Sequence, residues 1–399
     1  MTTNFDHVFD RRASGSIKWK AYPEDVLPMW VADMDFAVPP AISAALARRL
    51  EHPIFGYEWP SAKLHGVVVD WLARRYGWQV KAEDIMFLPG LVSGTNLVMR
   101  AFGHAGDEAL CWTPSYPPFL GAPANNGMQL KTVTLAESAK GHEARYDLDF
   151  DAFERAFTGR SRVYIHCHPH NPTGREYTRD EMARLGELCL KNNVVILSDE
   201  IHCDLMLDGR PHLPMAMVSP EIAQNTVTLM APSKTFNVPG LGCAFAVVQN
   251  PVLRKRMHNA EMGIVPHVNV LGQVACEAAF SECDAWLDDL LVYLAANRDA
   301  AAAYLTQHLP EVRFTVPEAT YLMFLDFRNV AAQGNIYKLL LEKGRLALND
   351  GATFGAPVTP TASDPNPSPR YGRYARINLG CTRATLMDGL ARMVKALRA

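Results

Sequence analysis

The sequence predicts an α/β fold: a large domain on a mostly parallel sheet, with a smaller α+β domain at the C-terminal end. Three observations predict it. Short apolar runs with little polar alternation recur from about residue 85 to 248, as strands covered on both faces require. Helical periods separate these runs, and such alternation is the pattern of a parallel sheet. Beyond residue 250 the pattern turns helical to about 308 and then yields isolated strands and helices. A chain of 399 residues is also too long for one small core.

Taken in order, an irregular N-terminal arm precedes Pro39-Pro40, which opens a helical segment to about Glu51. Ser61 to Tyr76 repeats the helical period, and proline suits a first turn. Strands are expected at Ile85 to Leu88, Ala109 to Trp112, Arg162 to Ile165, Val194 to Leu197, Thr226 to Met230 and Cys243 to Val248. Thr178, followed three residues later by Glu181, reads as a capping box that starts a helix to Lys191. Near the C-terminus a strand is expected at Tyr321 to Phe327, a helix near 335–343, a strand at Arg373 to Leu379 and a final helix from about Thr385. The Pro- and Ser-rich stretch from Ala356 to Pro369 suits a surface loop. The expected division is 1–45 as arm and part of the small domain, 46–285 as the large domain and 286–399 as the C-terminal small domain.

Charge and composition narrow the function classes. With 39 basic and 42 acidic residues the net charge is -3, spread along the chain, so no footprint for nucleic acid or membrane is present. No run of about 18 uncharged apolar residues occurs and the first residues lack signal-peptide character, which predicts a cytoplasmic protein acting on a small molecule. The eight cysteines are scattered without a CxxC pair, as reduced thiols are. His166, His168 and His170 alternate around Cys167, but Pro169 interrupts the strand and no carboxylate shares the spacing, so no metal site is expected.

The chemistry centres on Lys234, which follows the apolar run Thr226 to Met230 and precedes a Gly/Pro-rich loop. An ε-amine at a strand terminus can hold an aldehyde cofactor covalently, and partial burial lowers its pKa toward nucleophilic competence. Asp199 closes another strand, where a carboxylate can pair with a pyridine nitrogen. Asn171, in His170-Asn171-Pro172-Thr173-Gly174, can donate to a ring oxygen, and Tyr116 offers a flat stacking face. Gly90 to Gly94 opens a helix after a strand, so the N–H groups of Leu91, Val92 and Ser93 can face a phosphate. Singly, each has an ordinary structural role as cap, turn or core residue. Together they suit the parts of pyridoxal 5′-phosphate.

In their order and spacing, Asn-Pro-x-Gly, Ser-Asp-Glu and Ser-Lys-Thr-Phe-Asn resemble the pyridoxal-phosphate-dependent class I/II aminotransferase superfamily, fold type I. The likeness runs from about Leu27 to the C-terminus. It is closer still to the bacterial cystathionine β-lyase branch, through Leu27 to Phe36, Phe55-Gly56-Tyr57, Asp199-Glu200-Ile201-His202 and Lys234-Thr235-Phe236-Asn237. The resemblance implies a large domain with a seven-stranded, mostly parallel sheet. It also implies that Lys234 carries the cofactor, Asp199 meets the ring nitrogen, Asn171 the ring oxygen, and Tyr116 the ring face. Leu91, Val92, Ser93, His202 and Ser233 would complete the cofactor site, with Tyr57 reaching the phosphate in the other subunit of a homodimer. Arg376 would bind the substrate carboxylate, beside Trp30 and Ala32.

Departures from the aminotransferase pattern also carry information. His202 stands where aminotransferases commonly have tyrosine, which favours the lyase branch, while Ala231 and Gly242 replace a frequent serine and cation of the phosphate site. The expected reaction is α,β-elimination on cystathionine or a related cysteine S-conjugate, giving thiol, pyruvate and ammonia. Transamination on the same cofactor and a non-catalytic regulatory protein on the same fold are the alternatives.

Overall fold

The computed structural model describes residues 3–332, 334–357 and 369–398. Seven strands form the central sheet in the order Ile85–Leu88, Ala244–Val247, Thr226–Met230, Val195–Asp199, Ser161–Cys167, Glu108–Thr113, Gln129–Thr134. Only Ala244–Val247 runs antiparallel to its neighbours, so the sheet is mostly parallel, as expected. The central strands Thr226–Met230 and Glu108–Thr113 are buried at every position, which is why they lack polar alternation.

Helices cover both faces. Leu91–Phe102 lies so close to the sheet that a Cβ on Gly94 would come within 3.0 Å of the Leu88 and Leu229 side chains. Glycine at that position is therefore a packing requirement. The helix Arg179–Lys191 starts with the expected capping box: Glu181 N–H donates to Thr178 Oγ1 at 3.2 Å, and Thr178 N–H donates to Glu181 Oε2 at 2.9 Å.

A second sheet orders Asn349–Asp350, Tyr374–Asn378, Leu322–Asp326, Arg313–Phe314, Glu143–Asp147 and Ala136–Lys140. Its last two strands come from a hairpin between elements of the central sheet. In the N-terminal arm, Leu27–Pro28 pairs in parallel with Leu346–Ala347, tying residues before 45 to the C-terminal part of the chain. A 25-residue helix, Asp284–His308, runs across residues 285 and 286, between which the division of the domains is expected. The Pro- and Ser-rich loop lies, for 358–368, outside the described residues. Among the described residues no helix is long and apolar enough to cross a membrane.

Candidate active site

In a mostly parallel sheet the strand carboxyl ends face one crevice, where α/β proteins collect functional groups. Here that crevice holds a cavity of about 250 Å3 lined by residues following five strands, among them Gly90, Tyr116, Asn171, Asp199 and Lys234. The sequence-predicted residues Leu91, Val92, Ser93, His202, Ser233 and Ala32 line the same cavity. The turn Pro232–Thr235 directs Lys234 inward, and its Nζ donates to Ala32 O at 2.6 Å. Burial lowers the amine to about 8, with Arg376 adding to the effect while Asp33 and Asp199 oppose it.

Asp199 ends its strand buried. Burial raises its carboxyl to about 7, against the N–H of Ile201, which donates to Oδ1 at 3.2 Å. Among the described residues Lys234 is the one cation lining the cavity, and its charge only partly offsets the effect of burial on this carboxylate. A protonated ring nitrogen would supply a further positive charge. The first three N–H groups of helix Leu91–Phe102 have no intrahelical acceptor, and together with the hydroxyls of Ser93 and Ser233 they form an anion cradle. Ala231 and Gly242 line this end as well, so backbone and hydroxyl donors replace a cationic side chain there.

Arg376 lies beside the cavity on strand Tyr374–Asn378, fully enclosed. Its Nη1 donates to Asn171 Oδ1 at 2.9 Å, its Nη2 donates to Trp30 O at 2.8 Å, and the guanidinium sits 5.2 Å from the Phe354 ring centre. Its Nε has no hydrogen-bond partner, and among the described residues no carboxylate pairs with this side chain. Burial lowers it to about 10. An enclosed cation without an anion is costly, and a ligand carboxylate would relieve that cost. With Asn171 Oδ1 occupied by Arg376, the Asn171 amide is oriented to present its N–H2 group elsewhere.

His202 is buried and its pKa is driven well below the usual imidazole value by burial, then by Lys234 and Arg376, so it stands neutral in the cavity wall. Tyr116 packs edge-on against Phe119 at 5.3 Å with its ring on the cavity. Tyr57, Trp30 and Arg376 are the predicted residues that do not line the cavity; Tyr57 is fully exposed on the 51–61 segment, whereas Arg376 joins the Trp30 carbonyl to Asn171 of the cavity wall. The residues present thus fit pyridoxal phosphate at each point where this chain alone can be tested.

The profile of the aminotransferase class I and II family matches residues 24–392. The chain belongs to that family. It is similar to cystathionine beta-lyase PatB of Bacillus subtilis, 37% identical over 402 residues that cover 99% of this chain and 100% of that protein. It is also similar to the cystathionine beta-lyase of Corynebacterium glutamicum, 34% identical over 98% of this chain and 100% of that one. A pyridoxal-phosphate-bound putative aminotransferase from Clostridium difficile superposes with a TM-score of 0.92 at 35% identity, covering 99% of both chains. The chain has the fold type I architecture expected from the motifs.

Several residues around the site went unread in the sequence. Tyr321 donates to the same Ala32 carbonyl as Lys234, at 3.0 Å. Asn378 donates to Val31 O at 2.5 Å and Asp33 O at 2.6 Å, while Asn237 donates to Met34 O and Phe36 O. Asn378 stands two residues after Arg376 on one strand, a period-two signal that places both on one face. Of the three alternating histidines, His166 lies 3.0 Å from Tyr164 Oη and His170 2.8 Å from Thr173 Oγ1. His168 meets Glu176, close by in sequence, and the more distant His212.

Proposed function

We propose that this protein is a pyridoxal 5′-phosphate-dependent carbon–sulfur lyase. It takes cystathionine or a related cysteine S-conjugate and releases a thiol, pyruvate and ammonia. The observation that carries the reading is the enclosed, anion-free Arg376, bonded to Asn171 of the cavity wall that also presents Lys234. An amino-acid carboxylate on Arg376 brings Cα toward the one amine in the cavity.

When bound, pyridoxal phosphate supplies an electron sink for charge developing at the substrate Cα. Lys234 would hold the cofactor and would move the Cα proton at its Nζ; a pKa of about 8 leaves part of the amine neutral near neutral pH. Asp199 would stabilise a protonated ring nitrogen, Asn171 would donate to the ring oxygen, and Tyr116 would cover one ring face. Leu91, Val92 and Ser93 N–H groups and the Ser93 and Ser233 hydroxyls would hold the phosphate, with Tyr57 of a second copy as an additional donor. Arg376 orients the substrate, while the backbone of Trp30 and Ala32 fixes Arg376 and Lys234.

His202 in place of tyrosine and the names of the Bacillus and Corynebacterium relatives support elimination. Transamination is the second reading, favoured by the description of the Clostridium neighbour as a putative aminotransferase. Incubation with cystathionine or an S-alkyl cysteine separates them. Stoichiometric pyruvate and free thiol are expected without an added keto acid; a strict requirement for an amino acceptor with no thiol rejects the lyase. Absence of a visible cofactor band after adding pyridoxal phosphate would reject both and favour a non-catalytic role.

The full exposure of Tyr57 supports a two-fold homodimer with shared sites, because its ring has no role within one subunit. Eight buried, unpaired cysteines suit a reducing, cytoplasmic setting. Pairing of Leu27–Pro28 with Leu346–Ala347 supports assigning part of 1–45 to the small domain, with 46–285 as the large domain and 286–399 as the remainder.

A further inference from the structure

Next to Asp199, on the side away from the cavity, four ionisable side chains are packed without solvent. His212 Nε2 lies 2.8 Å from Glu200 Oε2, and His212 Nδ1 lies 3.2 Å from Glu176 Oε1. His168 Nε2 lies 3.3 Å from the same Glu176 oxygen. Glu200 Oε1 also accepts from Ser198 Oγ at 2.7 Å and from Met215 N–H at 3.0 Å. His212 and Glu200 are wholly buried.

One atom each of His168, Glu176 and His212 falls within 4.8 Å of the others, a spacing a metal ion can use. Protons account for the His212 contacts. Tyr177 N–H points at His168 Nδ1, 3.5 Å away, which leaves the ring hydrogen on Nε2, a nitrogen 3.3 Å from Glu176 that forms no hydrogen bond. Both nitrogens of His212 face carboxylates, and a neutral imidazole would set a lone pair against one of them. His212 is therefore an imidazolium. Burial works against that charge, yet Glu176 and Glu200 hold the ring up to about 10. Around it also lie the stacked His166 and His168 rings, the Tyr76 ring edge at 5.7 Å, Arg210, whose charge acts on Glu176, and Arg74, Arg75 and Asp204, which share a surface pocket with it.

Glu200 matters because it directly follows Asp199 in the chain. Its charge adds to burial in raising the Asp199 carboxyl. Asp199 must be an anion to keep a ring nitrogen protonated. We infer that His212 is a positioning residue that neutralises Glu200 and so lets Asp199 act as the anionic partner of the cofactor ring. The inference rests on the cofactor reading above.

Dissociation of pyridoxal phosphate from the full chain tests it, followed by absorbance for wild type, His212→Gln, Glu200→Gln and the double variant, with melting of each cofactor-free protein as a folding control. His212→Gln is expected to loosen the cofactor by about tenfold, equivalent to about 1.4 kcal/mol. The double variant is expected to return to within about twofold of wild type, because it removes both charges, and Glu200→Gln alone to bind at least as tightly as wild type. A merely structural cluster would give no rescue, so a double variant as loose as His212→Gln overturns the inference, as does a His212→Gln that binds like wild type. Should His212→Gln not fold, Glu200→Gln decides alone: looser binding overturns the inference, equal or tighter binding upholds it. A wild-type chain that binds no cofactor sinks both this and the functional reading, whereas one that binds it but releases no thiol sinks only the elimination.

Discussion

Lys234→Met in the cofactor-free protein tests whether the site stores destabilisation. Lowering the amine from its ordinary 10.5 to about 8 corresponds to about 3 kcal/mol, at about 1.4 kcal/mol per pH unit. Because part of the side chain faces the cavity, that figure is an upper one. Below about pH 8 the amine is charged in both folded and unfolded chains, and the folded state bears the whole cost. From about 8 to 10.5 the folded amine is already neutral while the unfolded one still holds its proton, so the cost fades as pH rises. Methionine removes the charge and also the hydrogen bond to Ala32 O, a loss of about 1 to 2 kcal/mol. The expected net effect at pH 7 is a gain of about 1 to 2 kcal/mol, read as a melting temperature a few degrees above wild type. By pH 10.5 the advantage should vanish or reverse. A variant less stable than wild type at pH 7, or a difference that ignores pH, would refute the claim that Lys234 is held as a strained, desolvated cation.

Arg376→Lys keeps the charge and loses the fork that spans Asn171 and Trp30, so kcat/KM should fall by about a hundredfold or more, mainly through KM, with the cofactor band intact; unchanged steady-state kinetics would remove Arg376 as the carboxylate anchor. Tyr57→Phe should loosen the cofactor several-fold without changing the melting of the cofactor-free chain, and sedimentation should find a dimer; fully active monomer would dispose of the shared site. Gly242→Arg should fail to tighten the phosphate site, because Gly242 has φ +54 and a Cβ there would sit 3.2 Å from Pro89 O; the variant is expected to lose about 1 kcal/mol or more of stability, and tighter cofactor binding by titration would contradict this.

The legible parts of the sequence were those whose physics is local. Thr226–Met230 and Ile85–Leu88 occur with the expected bounds because strands buried on both faces are continuous apolar runs. Lys234 and Asp199 were readable because they end such runs, where a parallel sheet opens its crevice. Gln129–Thr134 went unread: it is the edge strand, partly exposed, and its Gln, Lys and Thr residues carry no apolar signal. The hairpin of Ala136–Lys140 and Glu143–Asp147 was missed for the same reason, its first strand being exposed throughout. Tyr321 and His212 were invisible for another reason. Their roles exist only through partners 289 residues away for Tyr321 and 12 and 36 residues away for His212, and no local period encodes such pairings.

The resemblance marked Trp30 and Ala32 as substrate residues, and the structure gives their backbone a more specific use. From Trp30 to Phe36 the chain bends at Val31-Ala32 and at Asp35-Phe36 and belongs to no sheet, so its carbonyls need partners from elsewhere. Arg376 takes Trp30 O, Asn378 takes Val31 O and Asp33 O, Lys234 and Tyr321 share Ala32 O, and Asn237 takes Met34 O and Phe36 O. These donors come from both the central sheet's loops and the second sheet. In the proposed reaction the carboxylate anchor Arg376 and the base Lys234 are thus tied to carbonyls two residues apart on one segment, so a change in how the two sheets sit together would alter anchor and base jointly. Binding and proton transfer would thereby be coupled through the backbone of this segment.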